Sequence, residues 1–180
     1  TGNSYQYYLS NSSTALSGGS WTTYTSGTAV SLNPSSSGTY YLFVKRVNDA
    51  AGNTSTSGGT ATTVSSTTYQ RFGAYQFDKT APTISVNTTS CTWRNSALSV
   101  KITASDTGGS GLASNNTYEY YLSKSDTLVT GGEWKSYTSG STVSLNPGAS
   151  GKNYYLFVKR VSDKAENISA DIYWPLFGEY

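Results

Sequence analysis

Leu98-Ser99-Val100-Lys101-Ile102-Thr103-Ala104 is the stretch that decides the fold. Apolar side chains fall on every second residue, and Ser99, Lys101 and Thr103 fill the places between. In an extended chain, alternate residues share a face, so one side of this segment can be buried while the other meets water. The same seven residues read as a helix would put Leu98 and Ile102 on one side and Val100 and Ala104 on the opposite one, leaving no single apolar face. The segment is therefore expected to be a β-strand with one covered face.

Working outward, comparable runs recur, separated by Gly, Asn, Asp and Pro clusters at a spacing of roughly 8–12 residues, the signature of an all-β sandwich. The expected strands are Thr83–Val86, Leu98–Ala104, Tyr118–Ser123, a short one near Trp134–Tyr137, Thr142–Leu145, Tyr154–Val161 and Asp171–Phe177. In Tyr118–Ser123, Tyr118, Tyr120 and Leu122 form one stripe, and Glu119, Tyr121 and Ser123 the other. The Tyr154–Val161 run is apolar on both faces, as expected of a central strand covered on both sides. No window has helical periodicity, and Val, Thr and Tyr favour strands.

Further outward, the chain repeats itself. Tyr118 to Asn167 reads YEYYLSKSDTLVTGGEWKSYTSGSTVSLNPGASGKNYYLFVKRVSDKAEN, and Tyr5 to Asn53 reads YQYYLSNSSTALSGGSWTTYTSGTAVSLNPSSSGTYYLFVKRVNDAAGN. About two thirds of the positions are identical. The likeness resumes at Phe72-Gly73-Ala74-Tyr75 and Phe177-Gly178-Glu179-Tyr180. Between Asn53 and Phe72 the first copy carries nine extra residues, a Ser/Thr/Gly-rich stretch expected to be a long loop or a weak hairpin. The second copy has an upstream part, from Asp78 to Leu112, that the first lacks. The repeating unit is thus about 100 residues, the size of an immunoglobulin-type sandwich. The expected domains are 1–77, without its first two strands in this chain, and a complete one at 78–180.

Composition limits the chemistry. The 180 residues include 16 Tyr and 14% aromatics, only 12% charged residues, one Cys, and neither His nor Met. With no imidazole, Ser-His-Asp and Cys-His catalysis are excluded, as are zinc sites that use His. One cysteine cannot make a disulfide within the chain. Cys91, beside Trp93, is expected to be a buried or half-buried thiol. A net charge of +2 does not argue for nucleic acid or membrane. No run approaches the roughly 18 apolar residues of a membrane span. A chain without Met is expected to be a processed product or a fragment of a longer one. No cofactor is expected, and the function is expected to be non-enzymatic.

Several segments resemble a known family. Asp78-Lys79-Thr80-Ala81-Pro82-Thr83, the Ala104-Ser105-Asp106 to Gly111-Leu112 turn and Val47-Asn48-Asp49-Ala50-Ala51-Gly52-Asn53 look like bacterial immunoglobulin-like repeats of secreted or wall-anchored proteins, Gram-positive ones above all. Gly38-Thr39-Tyr40-Tyr41 is similar to the strand start of fibronectin type III domains. The resemblance implies tandem immunoglobulin-like β-sandwich domains at a bacterial surface, extracellular, secreted or anchored in the cell wall, with neighbouring repeats in the parent chain. It implies an adhesive module that binds a host protein, immunoglobulin among them, or a glycan. The alternative is a stalk that projects a distal domain from the wall.

Candidate sites follow. Trp21 and Tyr24, with Tyr8, and Trp134 and Tyr137, with Tyr121, recur at equal spacing and suit stacking on sugars or anchoring of proteins. The competing role is packing between sheets. Asp49, Asp106 and Asp163, with Asn53 and Asn167, could supply oxygens to Ca²⁺, which needs six to eight. They could equally cap turns through backbone amides. Lys45 and Lys159 sit mid-strand, by alternation on one face with Phe43 and Val47, and with Phe157 and Val161. They are either partners of an isopeptide bond to Asn, as the resemblance to Gram-positive surface sandwiches suggests, or long stems that carry their charge out to water.

Overall fold

The computed structural model describes residues 3–88, 94–127, 129, 132–146 and 153–177. The expected thiol at Cys91 and its neighbour Trp93 lie outside these residues. The described residues are all-β in antiparallel sheets, with no helix among them. The chain divides into two compact units, Thr1–Lys79 and Thr80–Tyr180.

Unit 1 carries one sheet of β1 (Gln6–Ser10), β2 (Trp21–Thr23), β3 (Gly38–Lys45), β4 (Thr60–Val64) and β5 (Thr67–Phe77), in the order β2-β1-β3-β5-β4. The Ser/Thr/Gly-rich insertion becomes a hairpin: β4 pairs with β5 from Thr60↔Arg71 to Val64↔Thr67. Ser65 and Ser66 turn it, both with positive φ (47° and 68°), as a two-residue hairpin loop of matching twist requires. Gly73 (φ 91°) lies where the β3–β5 register slips between Tyr40 and Leu42, a position a Cβ would crowd against the Tyr75 ring.

Unit 2 has two sheets. One is β6 (Thr83–Val86), β7 (Leu98–Ser105) and β10 (Thr142–Leu145), in the order β10-β7-β6. The other is β8 (Glu119–Ser123), β9 (Trp134–Ser136), β11 (Tyr154–Val158) and β12 (Ile172–Phe177), in the order β12-β11-β8-β9. One core cluster draws Leu98, Val100, Ile102 and Ala104 from the first sheet and Tyr120, Leu156 and Val158 from the second, a sandwich-like arrangement. The alternation of β7 is buried at Leu98, Val100, Ile102 and Ala104, and Ser99 and Lys101 are exposed.

One expectation about strand faces is corrected. β11 ends at Val158, not Val161. Beyond it alternation no longer applies: Lys159 and Arg160 are exposed, and Val161 returns to the core at 1% exposure. Lys159 and Val161 therefore do not share a face.

The two units pair their common strands in one register. Tyr8 faces Trp21 and Phe43; Tyr121 faces Trp134 and Phe157. Asn3 and Asn116, just ahead of the quoted repeat, also act alike. Asn3 donates to Asn48 C=O (2.8 Å) and accepts from Asn48 N–H (2.8 Å). Asn116 donates to Ala113 C=O (3.0 Å) and Ser162 C=O (2.7 Å), and accepts from Ser162 N–H (2.8 Å).

Candidate functional site: a tryptophan–lysine face on the sheet

Residues directly opposite in an antiparallel pair share a face of the sheet. Tyr8↔Trp21 and Tyr8↔Phe43 therefore place Tyr8, Trp21 and Phe43 together. The Trp21 ring stands edge-to-face against Tyr8 at 5.5 Å and lies tilted against Tyr69 at 5.2 Å. Lys45 reaches over Trp21, its Nζ 4.8 Å from the ring centroid, and donates to Gln6 Oε1 at 2.6 Å. Such a cation held over an indole face is attracted by the ring's quadrupole, worth about 0.5–1 kcal/mol where water has access.

Unit 2 repeats the arrangement. Tyr121 stands against Trp134 at 5.4 Å, and Lys159 Nζ lies 5.1 Å from the Trp134 centroid. Here Lys159 is ion-paired with Glu119, which stands where unit 1 has Gln6. Trp134 remains 37% exposed, and Tyr8 and Tyr121 are buried. Each Tyr hydroxyl accepts a backbone N–H from the loop before the Trp strand: Gly19 at 3.1 Å, Gly132 at 2.9 Å. Only glycine fits there, since a Cβ would stand 2.3 Å from Leu9 C=O or 2.8 Å from Leu122 C=O.

The electrostatics of the two faces differ. In unit 1, Lys45 has a neutral partner, and Arg71 lies 5.3 Å over Tyr41 and donates to Ser13 C=O (3.2 Å). That face is cationic. In unit 2, Glu119 neutralises Lys159, and Asp171 pairs with Arg160. The Arg160 guanidinium holds the Asp171 carboxyl below its usual range.

Tyr24 and Tyr137 lie on the other side of the sheet. Three residues is an odd step, so a Trp and a Tyr so spaced on a strand point oppositely. Tyr24 packs on Tyr5 (5.8 Å) and Tyr7 (6.3 Å). Tyr137 packs on Tyr118 (5.7 Å) and Tyr120 (6.5 Å), buried in the core of unit 2. Burial, then the nearby Tyr118, pushes the Tyr137 hydroxyl up to about 12, and that hydroxyl has no hydrogen-bond partner among the described residues.

The Asp candidates hold their own loops. Asp49 Oδ1 accepts from Ala51 N–H (2.9 Å) and Asn53 N–H (2.8 Å), and Oδ2 from Asn53 Nδ2 (2.8 Å). Asp163 repeats all three bonds with Ala165 and Asn167, at 2.9, 2.8 and 2.7 Å, and is buried at 2% exposure. Asp106 accepts from Gly108 N–H (2.8 Å) and Gly111 N–H (2.6 Å). The Asn53 amide, above all, holds the Asp49 carboxyl below its ordinary range. Among the described residues neither Lys45 nor Lys159 is paired with an asparagine; their polar partners there are Gln6 and Glu119.

Sequence reasoning missed Gln6, Glu119, Asn3 and Asn116. The signal was present, since Gln6–Lys45 and Glu119–Lys159, like Asn3–Asn48 and Asn116–Ser162, differ in spacing only by the one residue that Asn153 adds. Each unit also has a shallow groove beside the inner face, the side of the sheet that carries Tyr7 or Tyr120, opposite the outer face of Trp21 or Trp134: about 270 Å³ at Tyr7 and Asn33 and about 380 Å³ at Tyr120 and Asn146. Comparison with known proteins finds no match, either to a family model, to a curated protein or to a solved structure. No helix among the described residues is long and apolar enough to cross a membrane.

Proposed function

We propose that this chain is a non-enzymatic recognition module of a bacterial surface protein, made of tandem immunoglobulin-like domains, that works outside the cell. The sheet orders β10-β7-β6 and β12-β11-β8-β9 support immunoglobulin-like topology in unit 2. The observation that carries the functional reading is the recurrence of one Trp–Lys–Tyr cluster at identical register in both units. Burial of the Tyr makes the cluster rigid, and a half-open Trp ring with a cation over it suits a planar or hydroxylated partner surface. The partner is a host protein, immunoglobulin the first to test, or a glycan. Two such sites in one chain would gain by avidity wherever both can engage.

Burial also supports a second reading. Tyr8, Tyr121 and Tyr137 are packed, and a sheet stiffened by them serves equally as a stalk. The test is binding of the whole chain to purified immunoglobulin and to a glycan array. Binding that Trp21→Ala and Trp134→Ala each weaken, by about 2 kcal/mol at a hot-spot position, supports recognition. No ligand above background at micromolar chain leaves the stalk.

A further inference from the structure

Gln6 and Glu119 hold one position of the repeat, and the exchange changes what the lysine on the outer face can do. In unit 2 the Glu119 carboxylate lies against Lys159, whose ammonium stands over Trp134. In unit 1 a neutral amide takes that place. Lys45 stands over Trp21 and gives one N–H to Gln6 Oε1 (2.6 Å). An ammonium has three N–H donors, which leaves two for a further acceptor. Among the described residues Lys45 has no carboxylate partner.

A second cation joins it in unit 1 alone. The β3–β5 register sets Lys45 opposite Tyr69 and Phe43 opposite Arg71, so Lys45 and Arg71 are diagonal neighbours on one face, about 7–8 Å apart. Arg71 is held by the Tyr41 ring (5.3 Å) and gives one of its five N–H groups to Ser13 C=O (3.2 Å). Strand β12, which flanks β11 as β5 flanks β3, reads Ile-Tyr-Trp-Pro-Leu-Phe and carries no basic residue. The acids of unit 1 are Asp49 and Asp78. Asp49 is taken up by its own hairpin, and Asp78 accepts from Ser37 Oγ (3.2 Å). Hydroxyls and rings surround the two cations. Thr23 stands opposite Gln6, Thr60 opposite Arg71 and Thr62 opposite Tyr69. Trp21 and Tyr41 are half-buried, so part of each ring meets water.

We propose that the outer face of unit 1 binds the carboxylate of an acidic sugar chain of the uronate type, with Lys45 and Arg71 as its anion contacts. The proposal rests on the recognition reading and narrows it for one unit. Unit 2 shows the chemistry, since its own Glu119 proves that a carboxylate fits beside a lysine standing over the indole. Unit 1 leaves that place to a carboxylate from outside. Charge-assisted bonds from an ammonium and a guanidinium to one such group are the stronger kind. A sugar suits the face better than an acidic peptide. Peptides are taken up at a sheet edge or in a groove, and this is the flat of a sheet. Its rings can take the apolar side of a pyranose and its threonines the hydroxyls.

The test titrates trigalacturonate, neutral maltotriose and a peptide of three glutamates into the whole chain at physiological salt. It reads the NMR signals of Gln6, Lys45 and Trp21. Trigalacturonate should shift them saturably, with an affinity at least about tenfold above that of either other probe. Gln6→Glu copies unit 2, which shows that the exchange folds, and should weaken binding at least about tenfold. Arg71→Gln should weaken it by a similar factor. Lys101→Gln removes the same charge from an exposed position of unit 2 and should leave the affinity as it was. The absence of a shift with trigalacturonate overturns the proposal, as does an equal response to maltotriose or to the glutamate peptide. Affinity that survives Gln6→Glu overturns it too, and so does an equal loss in Lys101→Gln, which would mean attraction by net charge alone. None of these results removes the recognition reading, which falls only when Trp21→Ala and Trp134→Ala weaken no ligand.

Discussion

Phe43 and Phe157 hold the same place in the repeated Tyr-Tyr-Leu-Phe-Val-Lys-Arg-Val segment, and Leu42 and Leu156 stand just before them. In unit 1 the Phe is fully buried and the Leu half-buried; in unit 2 the Leu is fully buried and the Phe half-buried. The two copies keep opposite faces of one sheet as their core. In unit 1 the outer face gathers Tyr8, Phe43 and Tyr69 from the sheet's own strands, with Leu16 and with Val64 of the adjoining β4 packed against them. In unit 2 the inner face is roofed by β6, β7 and β10. A strand apolar on both sides leaves the choice of core to whatever covers it.

The largest expected effect tests that inversion. Phe43→Ala should destabilise unit 1 by about 3–5 kcal/mol, and Leu156→Ala should destabilise unit 2 by about 2–5 kcal/mol. Phe157→Ala and Leu42→Ala should each cost less than half as much as their mirror. Urea unfolding read separately from resonances of each unit measures this, and equal costs at Phe43 and Phe157 would remove the inversion.

The next effect belongs to unit 2 alone and appears with alkali. The Tyr137 hydroxyl is raised to about 12 in the folded chain, above the value near 10 of an unfolded one. The folded state thus holds a proton that the unfolded state gives up. Stability from this group is whole below pH 10 and falls as pH rises from 10 toward 12, by up to about 1.4 kcal/mol per pH unit. Tyr137→Phe removes no hydrogen bond among the described residues and should flatten that fall. A slope unchanged in the variant would show that another group causes it.

Smaller effects sharpen the comparison at the turns. Gly52 (φ 86°) and Glu166 (φ 67°) occupy the same place in the two Asp-capped hairpins. The left-handed conformation costs a non-glycine residue about 1–2 kcal/mol. Glu166→Gly should raise the stability of unit 2 by roughly 1 kcal/mol, and Gly52→Glu should lower that of unit 1 by a similar amount. Smallest is the hairpin turn. Ser65→Asn with Ser66→Gly should add about 0.5 kcal/mol to unit 1, since Asn-Gly suits two positive φ angles better than Ser-Ser. Thermal melts resolve both.

The strands were legible wherever one face is polar. Thr83–Val86 and Thr142–Leu145 fold over the expected residues, and the Leu98 stretch is extended by one, to Ser105. Alternation between apolar and polar residues fixes both the strand and its buried side. The limits appeared where that contrast is lost. The β11 region is apolar throughout, so sequence alone did not locate its end at Val158. The β4–β5 hairpin carries a Ser-Ser turn with no Asn or Gly to mark it. The outer-face cluster was half legible: the Trp and Lys positions were visible as repeats, but placing Lys45 on Trp21 needs the β1–β3 register. The separation of Tyr24 and Tyr137 from their Trp neighbours follows from a spacing of three, once the segment is known to be extended.

The Asn116 clamp carries a liability of chemical ageing. Its side-chain nitrogen gives one proton to each of two carbonyls, Ala113 and Ser162, and its oxygen takes the Ser162 N–H. Hydrolysis of that amide would replace the double donor with a second negatively charged oxygen. The new carboxylate would face both carbonyls at about 3 Å with nothing to offer them. A single deamidation, one mass unit and one charge, would thus turn the tie between the start of β8 and the Asp163 hairpin into a repulsion, and Asn3 exposes unit 1 to the same slow clock.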